Sequence, residues 1–298
     1  MRVAITGASG LIGRSLQERL RSEGDEVVRL VRREPILPDE IRWDPTGERA
    51  MPADALAGVD GVVHLAGEGV AAKRWTDKQK AKILDSRRTG TRVVAEAIAA
   101  TSSRPSVLVS GSAVGYYGTT GDRITDESGP AGDDFLAELC RQWEGATAAA
   151  EGAGVRVVHL RTGIVQSKKG GALARQLLPF RVGLGGRLGD GKQWVSWISL
   201  DDEVGAIIHC LRTPTLHGAV NATAPNPVTN AEYTKALGRA LHRPTAIPIP
   251  IPALGLLMGA ELVASLLTSQ RVVPEALVRS GYRFAHPTID QGLEAALS

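Results

Sequence analysis

Val3-Ala4-Ile5-Thr6-Gly7-Ala8-Ser9-Gly10-Leu11-Ile12-Gly13 lies at the start of the chain, and its reading decides the fold. A short apolar run feeds a G-x-x-G-x-x-G spacing, and a helix-period segment, Gly10–Ser22, follows at once. Each glycine has a separate duty. Gly7 permits a tight turn, Gly10 lets backbone approach a pyrophosphate, and Gly13 lets helix and strand pack closely. The unpaired amides of the first helical turn, around Ser9, Leu11 and Ile12, face the anion. Position gives the motif its specificity, because it joins the first strand to the first helix.

Outward from this turn, short apolar runs alternate with helical patterns. Strands are predicted at Arg2–Thr6, Glu26–Val31, Gly61–Leu65, Ser106–Ser110 and Val155–Arg161, and helices at Gly10–Ser22, Asp77–Ala100 and Asp133–Glu151. Continuously apolar strands suit a parallel sheet covered on both faces. The alternation points to an α/β, Rossmann-type doubly wound fold. Beyond Val165 the texture changes to Gly-rich and basic segments, then to helices joined by short links. The expected division is a dinucleotide-binding domain from residues 1–165 and 196–225, with a smaller C-terminal substrate-side lobe from 166–195 and 226–298. Such a lobe would cover the carboxyl ends of the strands, where open α/β sheets bind ligands.

Composition narrows the field. A net charge of +3 without a Lys/Arg run disfavours nucleic acid as a partner. Cys140 and Cys210 stand far apart, which argues against a disulfide framework or metal site and suits a reducing cytoplasm. The longest uncharged stretch, Pro244–Ala260, carries four prolines and is short for a membrane span, so it reads as extended chain leading into a packed helix. No membrane partner is expected.

The second strand selects the coenzyme. An NAD site usually ends this strand with an acid that bonds the ribose hydroxyls. Here it ends Val31-Arg32-Arg33. Guanidinium groups bind a 2′-phosphate through charge-assisted forks, so NADP(H) is the expected cofactor, with Arg32 first and Arg33 second as phosphate ligands. Leu65, Ala66 and Gly67 offer small backbone against a ribose. Ser110 ends the next strand. Thr162, Gly163 and Ile164 offer amides to a carboxamide.

These segments, together with His64-Leu65-Ala66-Gly67-Glu68, Ser112-Ala113-Val114-Gly115-Tyr116-Tyr117-Gly118, Leu160-Arg161-Thr162-Gly163 and Asn221-Ala222-Thr223-Ala224-Pro225, resemble the extended short-chain dehydrogenase/reductase superfamily. The chain is most similar to its atypical branch, the epimerase family protein group with a characteristic C-terminal domain. The resemblance implies a catalytic Tyr-x-x-x-Lys on the helix near Asp133, yet alignment through Glu144 puts Leu136 and Cys140 at those positions. Ser112 matches the expected Ser, and Arg87 replaces an Asn. The chemistry implied is that Ser112 and Arg87 hold a carbonyl or hydroxyl while Tyr116 or Cys140 handles the proton. A nearby guanidinium would favour the charged form of either. Cys140 reads equally as a small buried hydrophobe.

Family alignment also puts Val195 where nucleotide-sugar enzymes clamp a diphosphate with Arg, which disfavours nucleotide sugars. Tyr117, Gln193 and Trp197 are candidate pocket residues. The helices Asp77–Ala100 and Asp133–Glu151 imply a homodimer. The expected function is an NADP(H)-dependent oxidoreductase or epimerase acting on a small polar metabolite. The alternatives are an NADPH-binding redox sensor without turnover, a nucleotide-sugar epimerase and a scaffolding dimer.

Overall fold

The computed structural model describes residues 1–298. Seven parallel strands make the main sheet: β1 (Arg2–Thr6), β2 (Glu26–Val31), β3 (Glu40–Arg42), β4 (Gly61–His64), β5 (Val107–Ala113) and β6 (Arg156–Thr162) are joined by β10 (Gly218–Ala222). The remaining strands, β7 (Ile164–Gln166), β8 (Trp194–Val195), β9 (Trp197–Ser199) and β11 (Val228–Thr229), form two-stranded pairs. The order β10-β6-β5-β4-β1-β2-β3 reverses direction at β1, and a crevice opens at that switch point.

Both faces of the sheet are covered, as the continuous apolar runs require. Val3, Ile5 and Val109 pack with Leu16 and Leu20 of α1 (Leu11–Ser22) and with Ile207 of α6 (Leu200–Arg212). Ala4, Val62 and Leu108 pack on the opposite side with Val94 and Ile98 of α2 (Asp77–Ala100) and Ala150 of α4 (Ala148–Gly152). Each fully buried Val, Leu or Ile contributes about 1.5–3 kcal/mol. A separate core joins Leu173 and Phe180 of α5 (Gly171–Arg181) to Leu237 of α7 (Asn230–Leu241) and Leu293 of α11 (Ile289–Leu297).

The expected helix Asp133–Glu151 is broken in two. It runs as α3 (Phe135–Gly145) and then α4, with Thr147 between them. The Thr147 hydroxyl donates to the Glu144 carbonyl at 2.7 Å and meets His159 Nε2 at 3.0 Å. A hydroxyl bonding local backbone competes with the helical ladder, two residues after the weak helix former Gly145.

The chain end folds back onto α6. Asp202 accepts from the amides of Ala285 (2.7 Å) and His286 (3.0 Å), which fastens the segment between α10 (Glu275–Arg279) and α11 to the main domain. Extended chain leads, as expected, into α8 (Ile251–Met258), but that helix is not packed. None of its residues is buried, and Leu256 and Leu257 are 82% and 80% exposed. Arg74 Nη2 holds it through the carbonyls of Gly255 and Leu256, beside α9 (Ala260–Leu266). No helix is long and apolar enough to cross a membrane. The outer faces of α2 and α3, implied as dimer helices, carry the pairs Arg88–Asp85, Arg92–Glu96 and Arg141–Glu138 and none of the large exposed apolar side chains.

Candidate functional site

A cleft of about 1920 Å³ lies over the switch point. Gly7, Ser9 and Gly10 form its floor, Leu65, Ala66 and Gly67 one wall, and Arg32 and Arg33 one end. The turn admits little besides glycine. Gly7 sits at φ +67°, and a Cβ on it would lie 2.9 Å from Leu65 carbon. A Cβ on Gly13 would lie 2.3 Å from Gly7 oxygen. Gly10 begins α1 in extended conformation and no side chain caps the helix, so the first-turn amides stay free for an anion. The side chains fit the same ligand class. Eight Lys and Arg residues line the cleft against three acids, Glu40, Glu68 and Asp85. A long anionic ligand such as a dinucleotide suits this field.

The two arginines after β2 have different fates. Arg33 forks onto Glu40 at 2.8 and 2.6 Å. That fork, with the amides of Ile36 and Leu37, pulls the Glu40 carboxyl down to about 2. Arg33 is therefore committed to the protein, which corrects its expected place as a free phosphate ligand. Arg32 is exposed and makes no hydrogen bond or ion pair. Arg14, unnoticed in the sequence, joins it in the cleft, with its Nε on the Ser9 carbonyl at 2.7 Å. Its signal was available, since it directly follows Gly13 on the first helical turn. Lys73, Arg74, Lys78 and Lys82 from the far wall were also missed, because they meet the glycine turn only through the fold.

At the carboxyl ends of β5 and β6 the candidate catalytic groups separate. Ser112 is buried and donates to Glu144 Oε1 at 2.7 Å. Glu144 pairs with Arg161 through two contacts of 2.8 Å. Arg161 Nη1 donates to the Tyr117 hydroxyl at 2.9 Å, and Tyr117 donates to Asn221 Oδ1 at 2.7 Å. Tyr117 is thus a buried strut and not a pocket residue, with burial pushing its hydroxyl up to about 12. Tyr116 is half-buried, with the Arg161 guanidinium 3.4 Å from its ring centre.

Cys140 contradicts the charge argument made for it. Burial pushes its thiol up to about 12, and neighbouring Glu144 raises it further against the smaller opposing pull of Arg87. It behaves as the buried hydrophobe. Leu136 does occupy the helix face over the loop, 3.2 Å from where a Gly115 Cβ would stand. Arg87 is buried between the loop and α3, its Nη1 donating to the Glu68 carbonyl at 2.8 Å. Gly67 packs against it, since a Cβ there would lie 3.3 Å from the guanidinium carbon.

On the substrate side, Trp197 is fully buried against Gly292 and donates to the Asn226 carbonyl at 3.1 Å, so it is core and not pocket lining. Gln193 is half-buried, with its amide on the Leu188 carbonyl at 3.2 Å. Thr162 donates to the buried Glu203 carboxyl at 2.8 Å. Burial lifts that carboxyl to about 8. Gly163 approaches β9 so closely that a Cβ would lie 2.8 Å from Ser196 oxygen, while Ile164 is exposed. Ser110 is buried at the β4–β5 register position opposite His64.

Similarity to known proteins agrees with this layout. Residues 3–222 match the NAD dependent epimerase/dehydratase family, and residues 249–296 match a domain of unknown function, DUF1731. Epimerase family protein Mb2239 of Mycobacterium bovis is 47% identical over 291 residues, covering 98% of this chain and 96% of its own. The crystal structure of human epimerase family protein SDR39U1 with NADPH aligns at TM-score 0.92 and 34% identity over 100% of both chains. A nucleoside-diphosphate sugar epimerase from Corynebacterium glutamicum aligns at TM-score 0.81 and 39% identity, covering 99% of this chain and 58% of that one. The chain belongs to the NAD dependent epimerase/dehydratase family, whose match spans residues 3–222 with the glycine turn, and over 98% of its length it is similar to an epimerase family protein.

Proposed function

We propose that this protein binds NADP(H) and acts as an oxidoreductase or epimerase on a small polar metabolite. The observation that carries the reading is the unpaired Arg32 at the end of a cationic cleft floored by the Gly7–Gly13 turn. The NADPH in the human relative's structure supports it. The turn amides hold the pyrophosphate, Arg32 with Arg14 takes the 2′-phosphate, and Leu65, Ala66 and Gly67 lie against a ribose. Ser110 backs that wall, while the amides of Gly163 and Ile164, expected to hold the carboxamide, are already donated to the carbonyls of Ala222 (2.9 Å) and Ser196 (2.8 Å) and are not offered to it. When bound, the coenzyme supplies hydride transfer.

The remaining chemistry belongs to the chain. Arg87, whose Nη2 has no protein partner, provides the cation that a Lys would otherwise supply beside the ribose. Ser112 donates its hydroxyl hydrogen to Glu144 in a hydrogen bond, so its oxygen is left to accept from a substrate hydroxyl. Tyr116, under the Arg161 guanidinium, is the proton-moving group. Gln193 faces the substrate from the lobe.

A panel of carbonyl compounds and alcohols, followed at the NADPH absorbance, tests this reading. Turnover should fall at least tenfold in Tyr116→Phe and in Arg87→Ala. Turnover that survives both changes would remove the proposed site. A second reading, an NADPH-binding protein without turnover, is favoured by Leu136 and a protonated Cys140 at the positions of the family's Tyr and Lys. Tight NADPH binding with no turnover on any compound would select it.

A further inference from the structure

The helix α8 is apolar all round and yet uncovered. Residues 244–260 carry no charged side chain, and no residue of the helix is buried. A helix of this composition is ordinarily enclosed by protein or lipid, and the fold encloses it with neither. More apolar side chains stand beside it. Leu178, Val182 and Leu184, at and just past the end of α5, are exposed, as is Ile247 on the chain leading into α8. Direct contacts join these segments. Arg243 Nε donates to the Arg181 carbonyl at 2.8 Å, and the Ile249 amide donates to the Arg187 carbonyl at 2.9 Å. A Cβ on Gly189 would lie 3.9 Å from Ile251 Cγ1, the first residue of α8. The end of α5, the loop after it and the approach to α8 thus form one continuous surface.

The rim of this surface is cationic. Residues 168–192 carry six Lys and Arg against one acid, Asp190, which accepts from the Lys192 amide at 3.0 Å. Arg181, Arg187 and Lys192 are exposed, and their side chains form no hydrogen bond or ion pair. A hollow of about 740 Å³, lined by Lys235, Arg239, His242 and Arg243, opens where the uncharged stretch begins at Pro244. There Arg239 is paired with Asp290 and Arg243 lies on backbone carbonyls, while Lys235 is exposed without a partner. Unpaired cations around an exposed apolar patch complement a bilayer whose headgroups are anionic.

We propose that this face rests on an anionic membrane surface, with Leu256 and Leu257 entering the headgroup layer and Arg181, Arg187 and Lys192 meeting lipid phosphates. Resting on a bilayer needs no spanning helix. A second copy of the chain suits the face less well, because a twofold contact would set the same unpaired cations against one another. None of these side chains lines the coenzyme cleft, so the proposal does not depend on which coenzyme the cleft takes.

The test is cosedimentation of the full chain with vesicles of phosphatidylglycerol or of phosphatidylcholine. The anionic vesicles should bind at least about tenfold more tightly at low salt, with the advantage shrinking as salt rises. Leu256→Ser with Leu257→Ser should weaken that binding at least about tenfold and leave Tm and NADPH affinity unchanged. Arg181→Gln with Arg187→Gln should weaken it about 10- to 30-fold, at roughly a factor of five per cation. Arg32→Ala controls for the cationic cleft and should leave vesicle binding unchanged. Absence of binding to phosphatidylglycerol, equal binding to both lipids, or binding unmoved by both double changes would each overturn the proposal. So would binding lost in Arg32→Ala, which would place the vesicle at the coenzyme cleft. Self-association without vesicle binding, abolished by the leucine changes in analytical ultracentrifugation, would assign the face to a second copy and overturn it as well.

Discussion

Replacing Arg32 with Ala isolates the residue that the account makes responsible for choosing between coenzymes. Arg32 is exposed and has no partner in the protein, so its removal should leave the melting temperature of the free protein unchanged. Its loss to a bound 2′-phosphate is different, since a hydrogen bond to a charged group contributes about 1.5–3 kcal/mol. At roughly 1.4 kcal/mol per decade, that weakens NADPH by about 10- to 150-fold. Arg14 remains on the same rim, which favours the lower half of that range. NADH, lacking the phosphate, should change less than about twofold on the same scale. Calorimetric titration of wild type and variant with both coenzymes measures all four constants. Parallel losses for NADPH and NADH, or no loss for either, would show that Arg32 does not read the phosphate. The double change Arg33→Ala with Glu40→Gln serves as the control. It dissolves the fork without freeing a carboxylate, and should lower NADPH affinity less than Arg32→Ala does.

Other consequences can be checked separately. Glu203 is fully buried with its carboxyl raised from 4.5 to about 8, so the folded state favours the protonated form. Stability is therefore greatest below pH 4.5 for this group and falls as pH rises toward 8; Glu203→Gln should be the more stable protein at pH 8 by roughly 3–5 kcal/mol, with the gap closing near pH 5 in urea titrations. Gly13→Ala would set a methyl 2.3 Å from Gly7 oxygen and should cost about 1–3 kcal/mol or more while abolishing coenzyme binding. Arg161→Met leaves the largely enclosed Glu144 without its partner and should lower stability by about 2–4 kcal/mol in the same assay. Cys140 should resist a thiol reagent at pH 7 and react only on unfolding, because burial keeps its proton on.

The sheet and its first turn were legible because their signals are local. Val3–Ile5 and Val107–Val109 are apolar without alternation, and Gly7, Gly10 and Gly13 need only their own backbone to be read. Features set by distant partners were not. The capture of Arg33 depends on Glu40 arriving on a seventh, edge strand, beyond a loop with two prolines. Trp197 was a pocket candidate because its segment aligns with that of the nucleotide-sugar enzymes, but Gly292 at the far end of the chain leaves room that its ring fills. Cys140 was weighed by its cationic neighbour, and the deeper burial that only packing reveals carries more weight. The helix over Asp133–Glu151 kept its apolar period through Ala146, yet Thr147 finds a side-chain partner in His159 and ends it.

The central claim is that this fold grips a phosphorylated adenine dinucleotide at the mouth of α1. Equilibrium titration of the folded, full-length protein with NADPH and NADH tests it most directly. NADPH should bind at least tenfold more tightly than NADH. Uptake of neither coenzyme, or an equal or stronger grip on NADH, would contradict the account.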